Sequence, residues 1–161
     1  MTLRPATPED AATVHQLILD LAAYERMAGD VVATEADTRA ALAGDAGPKL
    51  QVVLAEENGG AVGFALFFPI YSTFRGNWGM YLEDLYVRPE HRGKGIGYAL
   101  LQRVAREAVE AGAQRLDWVV LDWNRLAIDF YERLGARPLS DWTTMRLTGD
   151  ALCELGAAAR V

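Results

Sequence analysis

The most specific chemical feature of this sequence is Arg92-Gly93-Lys94-Gly95-Ile96-Gly97. It follows an apolar segment, Leu82 to Val87, and opens a stretch in which Ile96, Leu100, Val104 and Ala108 recur as one helical stripe. Glycines at such a junction let the backbone curl, and the first N–H groups of a helix have no intrahelical partner. Those N–H groups and the helix dipole favour a phosphate. Arg92 and Lys94 add positive charge. A glycine turn with no ligand is the competing reading. The nucleotide triphosphatase loop requires a Gly-Lys-Ser/Thr ending, which is absent. The dinucleotide fingerprint wants its third glycine one residue beyond Gly97 and an acid at the end of the next strand, whereas Asp117 stands at the start of that strand.

Carboxylates form the second group. Strand alternation puts Glu83 on one face with Tyr81, Leu85 and Val87, and Asp84 on the other with Leu82 and Tyr86. Both faces are largely apolar, so the strand is expected to be central. Glu83 is then expected to be partly desolvated, with a pKa raised toward the range of a base. An ordinarily solvated acid at an open strand end is the alternative. Glu25 falls on the core-facing stripe of the first helix, seven residues after Ile18, unless that helix has already ended. Asn124 and Tyr131, also seven apart, share a helix face. Taken singly, Asn124 could be only a helix cap and Tyr131 only a core-edge aromatic.

The elements that must hold these residues can be read from periodicity and turn chemistry. Thr7-Pro8-Glu9-Asp10 starts a helix with Val14, Leu17, Ile18, Leu21 and Tyr24 on its apolar stripe. A second helix follows Thr34. Leu50 to Ala55 and Ala61 to Phe68 read as strands joined by a turn over Glu56 to Gly60. Pro69 to Gly79 reads as a loop. Then come a strand from Met80 to Val87, a helix from Gly95 to Ala111, a strand from Arg115 to Leu121 and a helix from Arg125 to Leu134. One or two closing strands are expected over Ala136 to Leu147, and residues 155–161 as a frayed tail. Antiparallel hairpins with one strand–helix–strand crossover predict a mixed, mostly antiparallel α/β sheet with helices on both faces, in a single domain over residues 1–161.

Composition narrows the function further. The chain has 161 residues, 22 acidic against 16 basic, for a net charge of −6. Nucleic acid is not an expected partner, because phosphate contacts need a basic surface. A cationic ligand is mildly favoured. The one cysteine, Cys153, and the two histidines, His15 and His91, offer no metal cluster and no disulfide. His91 is expected to be an exposed loop residue. The apolar run from Ala61 to Tyr71 is too short to span a membrane, and the first ten residues lack the apolar middle of a signal peptide. The expected compartment is the cytoplasm.

A strand, then Arg-x-x-Gly-x-Gly, then a helix resembles the coenzyme A loop of the GNAT acyltransferase superfamily. The combination of Leu21-Ala22-Ala23-Tyr24-Glu25-Arg26-Met27, Tyr81-Leu82-Glu83-Asp84, Trp123-Asn124 and the run from Asn124 to Tyr131 resembles the diamine (spermidine/spermine) and thialysine acetyltransferases over residues 3–150. The resemblance implies a GNAT fold, acetyl-CoA as co-substrate with no metal, a small cationic amine as partner, and a homodimer. It implies that backbone groups from Arg92, Gly93, Lys94, Gly95, Ile96 and Gly97 hold the pyrophosphate. Backbone of Leu85, Tyr86 and Val87 would pair with the pantetheine arm. Asn124 and Tyr131 would contact the cofactor, and Tyr131 would protonate the departing thiolate. Glu83 would act on the amine as base through water or as ligand, Asp84 beside it, and Tyr24 and Glu25 would anchor a second positive charge. Acetylation of a protein or peptide amine, or a module that binds CoA or a nucleotide without turnover, are the rival functions.

Overall fold

The computed structural model describes residues 1–45, 47 and 50–157. They fall into two compact units, Met1–Val119 and Val120–Val161. In the first, β1 (Thr2–Pro5), β2 (Gln51–Glu57), β3 (Gly60–Ser72), β4 (Asn77–Val87) and β5 (Leu116–Asp117) form one sheet in the order β1-β2-β3-β4-β5. Each neighbouring pair is antiparallel except β4 with β5, which is parallel. The mixed, mostly antiparallel sheet expected from the sequence is present. Strand β1 is an addition. Its four residues are too few to show alternation, and it is tied to its neighbour partly by Arg4, which pairs with Glu56 at 2.9 Å and with Asp10 at 2.7 Å.

One helical turn over Pro8–Asp10, boxed by Thr7 and Asp10, leads into α1 (Ala11–Tyr24), and Thr34 and Asp37 form the same reciprocal cap on α2 (Glu35–Ala43). Val14, Leu17 and Leu42 from these helices are buried with Val52, Leu54, Phe64, Leu66 and Tyr86 on one sheet face. By alternation Val53, Ala65 and Phe67, also buried, face the other way. That face is covered by α3 (Ile96–Glu110), whose Ile96, Leu100, Leu101, Val104 and Ala108 are buried.

The segment Pro69–Gly79 is not a loop. Strands β3 and β4 run on through it, pairing Pro69 with Met80, Ile70 with Gly79, Tyr71 with Trp78 and Ser72 with Asn77. Cross-strand aromatic contacts outweigh the local turn signals: Tyr71 meets Trp78 edge-on at 5.3 Å and Phe68 meets Tyr81 at 5.4 Å. Gly79 also admits the Arg115 side chain, whose Cγ would lie 2.8 Å from a Cβ there. Strand β5 is shorter than the seven residues expected, pairing only at Leu116 and Asp117.

The second unit contains α4 (Arg125–Arg133) and α5 (Gly149–Ala157). No strand forms over Ala136–Leu147 among the described residues. The apolar residues there, Ala136, Leu139, Trp142, Met145 and Leu147, do not alternate as a strand requires, and no strand among the described residues of this unit offers a neighbour for its N–H and C=O groups. Residues 155–157, expected to fray, close α5; residues 158–161 of the expected tail lie outside the described residues.

Candidate active site

The glycine turn of the first unit is built as the sequence suggested. Gly93 and Gly95 have φ of 75° and 82°, the left-handed region that favours glycine, and Gly95 is the N-cap of α3. The first intrahelical bond runs from Ala99 N–H to Gly95 C=O at 3.0 Å. The N–H groups of Ile96, Gly97 and Tyr98 therefore have no intrahelical acceptor, and they converge at the positive end of a 15-residue helix. Lys94 is exposed, with its ammonium 3.8 Å from Glu57. His91 is not the exposed loop residue expected. It is half-buried, and its Nδ1 lies 2.8 Å from the same Glu57 carboxylate, which this contact holds below the usual carboxylate range. Glu57 closes β2, 34 residues from His91, so no local sequence signal marks the contact.

Strand β4 provides an open edge beside that turn. Its partner β5 reaches only Met80 and Tyr81, so from Leu82 to Val87 the far edge has no strand partner among the described residues. Arg88 N–H donates to Val62 C=O of β3 at 2.9 Å. Bonded pairs alternate along an antiparallel ladder. Tyr86 therefore turns its polar backbone toward β3, while Leu85 and Val87 turn theirs to the open edge. Val87 C=O is already taken there by Arg92 Nε at 2.8 Å. The Leu85 N–H and C=O and the Val87 N–H are left for a ligand that pairs like a strand.

The carboxylates depart from expectation. The β3–β4 register slips between Leu66 and Phe67: Leu66 pairs with Asp84, but Phe67 pairs with Leu82. Glu83 is the extra residue of a β-bulge, and the bulge re-aims its side chain. It is exposed, not partly desolvated as strand alternation implied. The desolvated carboxylate is Asp84. It shares a face with Leu66 and Tyr86, the face that α1 covers. Burial first, and then the charges of Glu83 and Glu25, push the Asp84 carboxyl up to about 7. No basic side chain pairs with it among the described residues. Glu25 is the C-cap residue of α1, so the helix ends where the sequence left open, and burial raises its carboxyl as well. Tyr24, the last residue of α1, packs on the core cluster and lies 6.4 Å from the Tyr86 ring.

The structure thus brings together Tyr24, Glu25, Glu83, Asp84, Tyr86, Val87 and Arg92. Asn124 and Tyr131 belong to the second unit. Asn124 is the N-cap of α4, and its side-chain oxygen accepts from Ala127 N–H at 3.3 Å. Tyr131 lies on α4 with its ring 5.3 Å from that of Phe130. No group of His, Cys, Asp and Glu suited to a metal ion occurs among the described residues.

The acetyltransferase (GNAT) family matches residues 16–136. A thialysine N-epsilon-acetyltransferase of Sus scrofa is 37% identical over 95% of this chain and 95% of its own. An L-ornithine N5-acetyltransferase of Arabidopsis thaliana is 34% identical over 93% of this chain and 85% of its own. Among solved structures, an integron cassette protein from the mobile metagenome of V. cholerae superposes with a TM-score of 0.81 at 26% identity, over 98% of both chains. The chain belongs to the GNAT acetyltransferase family and, by that membership, is an amine N-acetyltransferase. Acetyl-CoA is the co-substrate of that family.

The carboxyl of Asp84 has a consequence for stability. Its folded pKa, about 7, lies above its ordinary value of 3.8. Between those values the folded state binds more protons than the unfolded state, so this group's contribution to stability falls as pH rises through that window. Replacing Asp84 by Asn should flatten the loss of melting temperature between about pH 4 and about pH 7 relative to the parent protein. Parallel melting curves for the two proteins across that range would contradict the assignment.

Proposed function

We propose that this chain transfers the acetyl group of acetyl-CoA to a primary amine of a small di- or polyamine or a lysine-like amino acid, by direct attack in a ternary complex. The observation that carries the reading is the course of β4. Its unpaired edge runs from the glycine turn at Val87 back to the bulge at Glu83 and Asp84, roughly 10 Å along the strand. One end suits a diphosphate and the other a cation.

The turn fits a CoA diphosphate because unbonded N–H groups gather at the start of α3 and the left-handed glycines leave the approach open. Acetyl-CoA supplies a thioester, an acyl group already activated toward amines. The chain's own residues do the rest. Leu85 and Val87 hold the arm by strand-like hydrogen bonds, and a backbone N–H of this edge polarises the acyl carbonyl. An alkyl ammonium has a pKa near 10.4, so about one molecule in 10³ is neutral at pH 7. A carboxylate of the bulge must take the amine's proton. The family resemblance names Glu83, acting through water. Asp84, half-buried with a carboxyl near 7, is the neighbour whose proton affinity is better matched to that step. Tyr24 and Glu25 anchor a second positive charge on the substrate. By the family resemblance, Asn124 would contact the cofactor and Tyr131 would return a proton to the departing sulfur.

Thialysine and ornithine, named for the two relatives above, each carry a second amine, which fits an anchor at the end of α1. The net charge of −6 draws such cations in. The family resemblance adds a homodimer as the working form.

A thiol-release assay with acetyl-CoA and a panel of thialysine, ornithine, lysine, spermidine and a lysine peptide tests the reading. Turnover on the small dibasic amines well above the peptide is expected; peptide-only turnover, or none with any amine, would overturn it. The pH profile of kcat/KM, which reports groups of the free enzyme, should show a limb near 7 that Asp84→Asn removes and Glu83→Gln retains. The opposite pattern returns the proton to Glu83. Tyr131→Phe should lower kcat roughly 10²- to 10⁴-fold with CoA affinity little changed, as for loss of a general acid. Undiminished turnover in that variant takes Tyr131 out of the mechanism.

A further inference from the structure

Arg92 opens the glycine turn, yet its side chain turns back from the turn. Its Nε donates to Val87 C=O at 2.8 Å. Its guanidinium carbon stands 4.3 Å from the centre of the Tyr24 ring and 5.6 Å from that of Tyr86. It makes no ion pair with a carboxylate among the described residues, so hydrogen bonding and the faces of these rings hold the charge. Tyr24 is the last residue of α1, next to Glu25, on the amine side. Val87 is the last residue of β4, on the cofactor side.

We propose that Arg92 is a positioning residue that braces the end of α1 against the end of β4, so that Tyr24 helps set the affinity of the CoA turn. The proposal rests on reading the turn as the CoA site. A guanidinium suits the task because it is planar: one edge donates to a carbonyl while its face stacks on a ring. An ammonium would keep the charge but has no planar edge and face to serve the carbonyl and the ring together. By occupying Val87 C=O, Arg92 also fixes which groups of the β4 edge remain for the cofactor arm. Because the brace ends beside Glu25, CoA and the amine should bind with reciprocal coupling.

The test is a double-mutant cycle on CoA affinity, measured by calorimetry with Arg92→Lys, Tyr24→Leu and the double variant, with melting temperatures to confirm folding. Tyr24→Leu, distant in sequence from the turn, is expected to weaken CoA roughly three- to thirtyfold, the range of a partly desolvated cation–π contact. Arg92→Lys should do the same despite keeping the charge. The double variant should be no worse than the weaker single. In the same proteins, the factor by which CoA tightens the amine should shrink toward one. Unchanged CoA affinity in Arg92→Lys, or losses that multiply in the double variant, would overturn the brace and leave Arg92 acting by its charge alone. Absence of CoA binding by the parent protein would instead overturn the reading of the turn, and the brace with it.

Discussion

Among the described residues, the backbone of β4 between Leu82 and Val87 has a strand partner on one side only. The proposed cofactor site depends on that asymmetry. An unpaired strand edge ordinarily invites aggregation. Here it is kept short, because β5 joins at Met80 and Tyr81 and then departs. It also begins beside a helix N-terminus whose own N–H groups are unsatisfied. Two sets of unpaired donors, one from a strand and one from a helix, meet at Val87 and Ile96. The proposed ligand, with an amide arm and a diphosphate, would satisfy both.

The second constraint is the bulge at Glu83. One extra residue on β4 breaks the alternation at Glu83 and leaves it in solvent, while Asp84 keeps the face it shares with Tyr86, which α1 covers. A half-buried carboxylate without a basic partner is costly to ionise. It sits on the face that α1 covers, and α1 ends at Glu25, whose carboxyl is also raised by burial. In the proposed reading, a substrate cation beside the pair would relieve both. The sheet's apolar packing, with Phe64, Leu66 and Tyr86 against Val14 and Leu17, holds this arrangement in place.

Much of the fold was legible because its signals are local. The Thr34–Asp37 cap, the Ile96–Leu100–Val104 stripe and the turn at Asn58 and Gly59 each encode their element within a few residues. The hairpin through Tyr71 and Trp78 was not legible, because cross-strand contacts between aromatics outweighed Pro69, Gly76 and Gly79, which read as loop. The reverse failure occurred over Ala136–Leu147, where the expected strands lack both alternation and, among the described residues of that unit, a strand to join.

The sequence by itself determined the glycine turn, its position between strand and helix, and the family to which they belong. These depend on residue types at fixed spacing. Only the tertiary structure decided which carboxylate is desolvated, where the Arg92 guanidinium goes and which β4 groups stay unpaired. Those outcomes hang on one register slip and on contacts between residues dozens of positions apart, such as Arg92 with Tyr24. Alternation cannot anticipate a bulge, since a bulge is where alternation breaks.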